Sequence, residues 1–293
     1  MIAEIAPVSV VIPTIGRPEL LADCLESLAA CKPRADEILV VDSSRDDAVA
    51  TVVTTFADAG ARMIRCEEFG LGSAFNVGLR EARHETVLLT NDDCTVDSRW
   101  VSVGASSVAA LDDAIVTGRV RAAGDPRIVP STIDDPDPRE HVGKPHFVLY
   151  TQCMAVRRDD ILEFGAFDGR IRPSAEDNDL SYRWLRAGRR IRYEPSFVVW
   201  HRDWRTREQL VRLYVDYGIG QGMVYAKHLR SGDLAIGRFV LRDTYAVARG
   251  LVDRVVRGRR PHGDWRLGLA RGLPVGLVRG WRACAKSEGI PTR

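Results

Sequence analysis

Two pairs of adjacent acidic residues stand where their types and spacing could support catalysis. Asn91-Asp92-Asp93 directly follows a short apolar run, and Glu176-Asp177 opens a stretch with helical spacing. Adjacent carboxylates repel each other unless positive charge lies nearby, and oxygen ligands of this type suit Mg²⁺ or Mn²⁺. The first pair therefore indicates either a metal site or, more simply, a polar turn.

Three further features allow both a chemical and a structural interpretation. Glu176-Asp177 fits a general base or a helix N-terminus stabilised by negative charge. His201 follows the apolar run Val198–Trp200 and fits a metal ligand or a structural histidine. Asp42 ends another apolar run, where it fits a hydrogen-bond acceptor for ribose or base, or the N-cap of the next helix.

The order of elements in the first third of the chain predicts how these residues are positioned. Short apolar runs predict buried strands at Val8–Ile12, Ile38–Val41 and Thr86–Leu89, with a further strand at Arg62–Arg65. Stretches with helical spacing separate these runs. A repeated β-α-β order predicts a doubly wound, mainly parallel sheet that binds ligands at the carboxyl ends of its strands. Asp42 and the first acidic pair should therefore share one edge.

The rest of the chain changes character twice. Gly118–Pro145 is rich in Pro, Gly and Asp, which predicts a long loop that orders over a bound ligand. A strand at Phe147–Val156, a helix from Glu176 to Leu185 and a strand at Ile191–Trp200 follow. From Glu208 onward the spacing is helical. We therefore expect one domain over residues 1–204 and a helical region over residues 205–293.

Charge is divided unevenly between these two parts. Residues 1–204 hold 24 Lys/Arg and 33 Asp/Glu, whereas residues 205–293 hold 18 and 7. A basic helical region with interleaved Trp and Leu suits docking on an anionic membrane surface, or a brace packed on the core with solvated arginines. No recognition motif for nucleic acid accompanies the charge, so nucleic acid is not an expected partner.

Composition places the chain among ordinary globular proteins, at 45% hydrophobic and 28% charged residues. The six cysteines form no Cys-x-x-Cys pair, which is typical of reduced thiols. The N-terminus lacks the basic start of a signal peptide, and no apolar stretch approaches the ~20 residues of a membrane span. These features predict a cytoplasmic protein, peripheral on the inner face of the membrane if the basic region docks there.

Taken in order, the segments resemble the family 2 glycosyltransferases of the GT-A fold, over roughly residues 7 to 201. Each motif is short, and the resemblance depends on the ordered set. The segments that carry it are Val8–Thr14, Arg17–Leu21, Ile38–Ser44, Gly70–Leu79, Val87–Asp93, Met154–Arg158, Gly165–Asp168, Glu176–Arg183 and Gly188.

The resemblance implies an inverting transfer of a sugar from a UDP-, GDP- or dTDP-sugar to a hydroxyl acceptor, assisted by Mg²⁺ or Mn²⁺. The acceptor would be a glycan, a lipid-linked glycan or a small molecule, as in cell-wall or polysaccharide biosynthesis. Residues 1–117 would bind the nucleotide-sugar, and residues 118–204 would form the acceptor side. The fold implied is a mixed, mainly parallel α/β sheet flanked by helices, with the helical basic region appended.

The resemblance also implies residue roles. Asp177 would be the catalytic base with Glu176 beside it, and Asp93 and His201 would be metal ligands. Residues that would bind the nucleotide-sugar are Pro13, Thr14, Arg17, Asp42, Ser43, Asn76, Asn91 and Asp92.

Three positions depart from the family pattern. Asn91 replaces the first acid of Asp-x-Asp, Ser43 replaces a second acid after the second strand, and Phe75 replaces an arginine. These changes leave donor identity open and leave room for a non-catalytic nucleotide- or sugar-binding module. A dehydrogenase or nucleotidylyltransferase is disfavoured, because no Gly-x-Gly-x-x-Gly or phosphate-binding loop follows the first strand.

Overall fold

The structure is a computed structural model that describes residues 4–126, 128–202, 204–257 and 265–285. The strands are β1 Ile5–Thr14, β2 Arg34–Asp42, β3 Ala61–Arg65, β4 Thr86–Leu89, β5 Cys94–Val96, β6 Ala114–Ala123, β7 Arg139–Val142, β8 Met154–Arg157 and β9 Arg190–Arg202. The helices are α1 Pro18–Ala29, α2 Ala48–Thr55, α3 Leu71–Glu81, α4 Trp100–Ala109, α5 Arg158–Glu163, α6 Glu176–Arg186, α7 Arg207–Arg230, α8 Gly237–Arg257 and α9 Trp265–Ala285.

Within the described residues the strands form one mixed sheet in the order β3-β2-β1-β4-β8-β6-β9-β5, with β7 paired to β9. The first four strands are mutually parallel, β6 and β9 are parallel, and the other pairs are antiparallel. Thr14 pairs with Asp42, and Asp42 pairs with Arg65. The predicted mixed α/β sheet is confirmed, and its parallel half brings the ends of β1, β2 and β3 to one edge.

Both faces of the sheet are covered by helices, as a doubly wound fold requires. Along β1, Val10 and Ile12 pack into one apolar cluster with Trp100 of α4, and Val11 packs into the other with Phe75 of α3. All five side chains are essentially inaccessible to solvent. A central parallel strand is buried on both faces. Val10, Val11 and Ile12 are therefore all apolar, although their side chains point to alternating faces.

The prediction of one long loop over residues 118–145 is wrong at both ends. β6 continues to Ala123 and β7 forms from Arg139 to Val142. Val120 of β6 also exchanges backbone hydrogen bonds of 2.9 Å with Ile133. The Asp residues that suggested a loop instead supply ion pairs, since Asp134 lies 3.4 Å from Arg119 Nε. A role for this segment in covering a ligand stays a prediction.

The predicted strand at Phe147–Val156 is wrong in its first half. Val148 N–H donates to Ser181 Oγ at 3.2 Å and Tyr150 N–H donates to Thr117 Oγ1 at 3.1 Å, so these amides are satisfied by side chains and not by a strand ladder. Strand β8 begins only at Met154. Strand β5 and helix α4 lie between the predicted elements and were not anticipated.

By its internal contacts the chain divides into two compact units. One contains Met1–Asp168 with Leu180–Asp203, and the other contains Gly169–Asp179 with Trp204–Arg293. The second unit therefore includes the first residues of α6 as well as the basic C-terminal helices. The functional boundary predicted at residue 204 stays a prediction.

Helices α7 and α9 of the second unit pack with close backbone contact through glycines. A Cβ at Gly272 or Gly276 would lie 2.2 or 2.0 Å from a carbonyl oxygen of α7, so neither position accepts a side chain without movement. α7 begins with a capping box in which Thr206 and Gln209 bond reciprocally. None of the described helices combines the length and hydropathy needed to cross a bilayer. Parts of the predicted C-terminal region, 258–264 and 286–293, lie outside the described residues.

Candidate active site

Asp92, at the end of β4, is fully buried and held by two side chains from the opening strand and loop. Arg17 approaches it as a fork, with Nη2 2.6 Å from Oδ1 and Nε 3.0 Å from Oδ2, and Thr14 Oγ1 donates to Oδ2 at 2.7 Å. Burial raises the pKa of Asp92 to about 6, against the opposing charge of Arg17 and with a further increase from Asp93. Arg17 therefore supplies the positive charge that two adjacent buried carboxylates require.

Asp93 faces His201, which the sheet brings opposite it. β5 pairs with β9 so that Cys94 and His201 are partners, and His201 is 3% exposed. His201 Nδ1 lies 3.0 Å from the carbonyl oxygen of Pro130, which can only accept, so Nδ1 carries a proton. Nε2 then points at Asp93 Oδ2 from 3.4 Å. If the imidazole is neutral, the lone pair of Nε2 faces the Asp93 carboxylate and the two repel each other. A cation bound between them, or a proton on Nε2, would remove this repulsion.

The residues at this edge fit a divalent cation in part. Among the described residues, no three His, Cys, Asp or Glu side chains converge as a complete metal centre. Asp93 and His201 nevertheless provide an oxygen and a nitrogen donor, and Asn91 Oδ1 is buried with no hydrogen-bond partner in the described part of the chain. A buried oxygen without a hydrogen-bond partner costs free energy unless a ligand interacts with it. The donor set is thus compatible with a cation that takes its remaining ligands from a bound anion.

Asp42, at the end of β2, is buried and its carboxylate already accepts three hydrogen bonds. Oδ1 accepts from Ser44 N–H at 2.8 Å and Ser44 Oγ at 2.5 Å, and Oδ2 accepts from Arg65 Nη1 at 2.7 Å. Ser43 N–H donates to the carbonyl oxygen of Thr14 at 3.0 Å, which ties the ends of β1 and β2 together. Asp42 therefore organises this edge of the sheet, and direct contact of Asp42 or Ser43 with a nucleoside stays a prediction.

Asn76 and Pro13 each contact other residues of the protein. Asn76 Nδ2 donates to the carbonyl oxygen of Phe167 at 2.7 Å, and Phe167 N–H donates to Asn76 Oδ1 at 3.0 Å. This reciprocal pair holds α3 against the turn after α5. Pro13 pairs with Val41 within the parallel half of the sheet. Their predicted contacts with a nucleotide-sugar stay predictions.

The second acidic pair lies at the start of α6, in the unit that contains the C-terminal helices. Glu176 is 4% exposed, whereas Asp177 is partly exposed. Burial, followed by the charge of Asp177, raises the pKa of Glu176 to about 8. Burial also raises the pKa of Asp177 to about 6, against a hydrogen bond from Asn178 N–H to Asp177 Oδ1 at 2.7 Å. Two adjacent carboxyl groups that titrate near neutral pH can accept and release protons.

The first unit brings together most of the predicted site residues, and the second holds the remainder. Thr14, Arg17, Asp92, Asp93 and His201 form one connected group at the ends of β1, β4 and β9. Asp42 and Ser43 lie on the neighbouring strand. Glu176 and Asp177 belong to the second unit.

Sequence reasoning gave no role to several polar residues that the structure makes prominent. Arg65 is bonded to Asp42, and Lys227 and His228 of α7 are bonded to Asp179 of α6. Asp179 could have been noticed as a third acid in the first turn of α6. No local pattern marks Lys227 or His228, because they lie 48 and 49 residues away from their partner.

Comparison with known proteins identifies the class to which this fold and site belong. The sequence pattern described as "Glycosyl transferase family 2" matches residues 9–164, which is more than half of the chain. The chain belongs to this family and is a glycosyltransferase. A search of curated proteins found no match.

Solved glycosyltransferases share the fold at low sequence identity. A mannosyltransferase from Pyrobaculum calidifontis, solved with GDP-Man and Mn²⁺, is 17% identical, with 95% of this chain and 90% of that one covered at a TM-score of 0.65. GalNAc-T7, solved with UDP, GalNAc and Mn²⁺, is 16% identical. The match covers 77% of this chain and 51% of that one, at a TM-score of 0.56. Residues 1–349 of TarS from S. aureus are 15% identical. The match covers 98% of this chain and 93% of that one, at a TM-score of 0.53.

Proposed function

We propose that this glycosyltransferase moves a sugar from a nucleoside-diphosphate sugar to a hydroxyl acceptor, with inversion at the anomeric carbon. The observation that carries the proposal is the acid pair at the start of α6. Asp177 is partly exposed, its pKa is raised to about 6, and the buried Glu176 lies beside it. Such a carboxylate is ionised at neutral pH and more basic than an ordinary aspartate, which suits a general base.

The proposed step is a single displacement. Asp177 removes the proton of the acceptor hydroxyl while the hydroxyl oxygen attacks the anomeric carbon on the face opposite the diphosphate. The bond between that carbon and the diphosphate oxygen breaks, and its electron pair leaves with the nucleoside diphosphate. A general base contributes about 10²- to 10⁴-fold in rate. Glu176 is buried and has the higher pKa, so it would be mostly protonated at neutral pH. It would therefore place little negative charge beside Asp177.

We further propose that the donor lies at the carboxyl edge of the parallel strands, bordered by Pro13, Thr14, Asp42, Ser43 and Asn76. Arg17 would bind the diphosphate by charge, while it holds Asp92 in place. Asp93 and His201, with Asn91 nearby, would hold a divalent cation. When bound, the cation would neutralise charge that builds up on the leaving diphosphate. The Mn²⁺ found with two structural neighbours supports this assignment.

Calorimetric titration with UDP, GDP and dTDP, each with and without Mn²⁺, tests the donor proposal. We expect one nucleotide to bind tightly and to require the metal, which also identifies the donor class. Failure of a folded protein to bind any of the three would contradict the donor proposal.

We also propose that the acceptor is met at an anionic membrane surface, as a lipid-linked glycan would be in polysaccharide or cell-wall biosynthesis. On α8, Leu241, Tyr245, Val252 and Val256 are 72, 68, 59 and 75% exposed. Their spacing places them on one face of the helix at 3.6 residues per turn, and Arg249 is exposed beside them. An exposed apolar face with adjacent arginines suits the boundary between lipid headgroups and acyl chains.

Flotation of the full chain with vesicles tests this docking. The protein should float with vesicles of phosphatidylcholine and phosphatidylglycerol and stay behind with phosphatidylcholine alone. Leu241→Glu with Val252→Glu should abolish flotation. Val142→Glu, which places one glutamate at an exposed apolar residue of β7, should not. Equal flotation of the α8 variant and the unaltered protein would leave the C-terminal helices as a brace.

A further inference from the structure

The first turn of α6 carries a third acidic side chain that the proposed mechanism does not use. Asp179 follows Asp177 by two residues and is fully buried. In contrast to Asp177, its carboxylate is paired with two side chains of α7. Lys227 Nζ lies 2.8 Å from each oxygen of Asp179, and His228 Nε2 lies 3.1 Å from Oδ1. The side chains of Lys227 and His228 are 16% and 9% exposed, so the cluster is largely desolvated.

Three other contacts join α7 to the same short segment. Asn178 Nδ2 donates to Gln221 Oε1 at 2.7 Å. Before the acid pair, Ser174 Oγ donates to the carbonyl oxygen of Asp216 at 2.9 Å. A Cβ at Gly220 would lie 2.1 Å from the carbonyl oxygen of Ser174, so the two backbones touch. Residues on both sides of Glu176-Asp177 are therefore fixed to α7.

We propose that α7 positions the catalytic base: Lys227, His228 and Gln221 fix the first turn of α6 so that the Asp177 carboxylate faces the acceptor hydroxyl. These are positioning residues, because they contact the two residues that follow Asp177 in the chain and not the reacting atoms. The proposal rests on the proposed function of Asp177. It makes the C-terminal unit part of the catalytic apparatus, since residues 169–179 group with that unit in the fold.

The physical reason is the sensitivity of proton transfer to geometry. A displacement of about 1 Å at a reacting group can cost about 10²-fold in rate. The first turn of an isolated helix frays, because its amide groups lack intrahelical partners. A buried ion pair resists fraying, since separating the partners would leave a charge without compensation in a desolvated site. Burial raises the pKa values of Glu176 and Asp177, so loosening of this turn should change both values.

A purely structural role for the ion pair makes different predictions, and a charge-neutral double variant separates the two. Asp179→Asn combined with Lys227→Gln removes both charges and leaves neither unpaired, so the protein should remain folded. The matched control is Glu37→Gln. Glu37 is also a buried carboxylate, 1% exposed, with Ser9 Oγ at 2.6 Å and Arg62 Nε at 3.0 Å, and it has no place in the proposed chemistry.

Turnover is measured as release of nucleoside diphosphate from GDP-mannose and from UDP-N-acetylgalactosamine. We expect the double variant to lose between about tenfold and about 100-fold in kcat, with KM for the donor and nucleotide affinity unchanged. The Glu37→Gln control should keep its kcat even if its Tm falls. A folded double variant with kcat within about twofold of the unaltered protein would overturn the proposal.

A second readout needs no substrate. Carboxyl NMR titration of Glu176 and Asp177 should show both pKa values falling toward ordinary values in the double variant, because a loosened first turn admits water. Unchanged titration in the folded variant would overturn the proposal independently. If the unaltered protein releases no nucleoside diphosphate from a UDP-, GDP- or dTDP-sugar, the proposed function fails, and the titration still decides whether α7 orders the acid pair.

Discussion

Each acid pair of this protein contains carboxyl groups whose pKa is raised by burial, and different groups oppose that rise. In the sheet, burial raises the pKa of Asp92, but the Arg17 guanidinium opposes the shift from 2.6 Å. At the start of α6, burial raises the pKa values of Glu176 and Asp177, the charge of Asp177 raises that of Glu176 further, and the groups that oppose these shifts are backbone amides. The pKa of Asp92 is about 6, like that of Asp177, so the pairs differ in their partners: a guanidinium charge at the first pair, and amides at the second, where the pKa of Glu176 reaches about 8.

This difference explains how one chain can offer both electrostatic stabilisation and acid-base chemistry. The first pair lies beside the Arg17 guanidinium, which suits binding of a diphosphate and its metal. The second pair is arranged to hold a proton loosely, which suits removal of a proton from a hydroxyl. Variants at each pair should therefore fail in different assays.

The largest expected effect is on turnover, at the second pair. Asp177→Asn removes the proposed base without changing the shape of the side chain, so kcat should fall by about 10²- to 10⁴-fold while nucleotide affinity persists. Steady-state kinetics with calorimetry of nucleotide binding measures both. Asp159→Asn, on the exposed side of α5, serves as the control. Near-normal turnover of Asp177→Asn would show that another group takes the proton.

The next effect is on stability, at the first pair. Arg17→Met leaves the fully buried Asp92 without its cation, and we expect a loss of about 3 kcal/mol in the free energy of unfolding. Combining it with Asp92→Asn should recover most of the loss, because no uncompensated charge remains. Urea denaturation measures all three proteins. If Arg17→Met alone were as stable as the unaltered protein, Arg17 would not have the role of neutralising this pair.

A smaller effect concerns metal-dependent affinity. Asp93→Asn and His201→Ala should each weaken nucleotide binding in the presence of Mn²⁺ by about 10- to 100-fold, with little change in its absence. Calorimetry with and without Mn²⁺ measures the difference. His84→Ala, at a partly exposed histidine bonded to Asp36, is the control. Equal losses with and without metal would assign Asp93 and His201 to the fold and not to a cation.

The last expected effect is a change in the pH dependence of stability. The pKa of Glu176 in the folded protein is about 8, above its ordinary value of 4.5, so the folded state retains a proton that the unfolded chain loses. Stability should therefore fall as pH rises from about 4.5 to 8. Glu176→Gln cannot lose that proton, and its Tm should depend less on pH in this range. Parallel Tm curves for the two proteins would mean that Glu176 titrates normally.

Much of the fold was predictable because the signals are local. The apolar run at Thr86–Leu89 became β4 with the same bounds, and the stretch with helical spacing before it became α3. The failures lie where long-range contacts decide. β6 continues into a segment of loop-like composition because it pairs with β9, and Phe147–Tyr150 leaves the sheet because distant side chains take its amides.

The class of protein can be inferred from the sequence alone, since ordered motifs predict strand ends and a helix start and specify which residue types stand there. The ionisation state of those residues depends on the folded structure. Whether an aspartate near a strand end is ionised depends on burial and on partners such as Arg17, 75 residues away in the chain. The link between Asp179 and Lys227 likewise depends on packing between helices. Such contacts leave no periodic trace in the sequence, because electrostatic partners are chosen by distance in space.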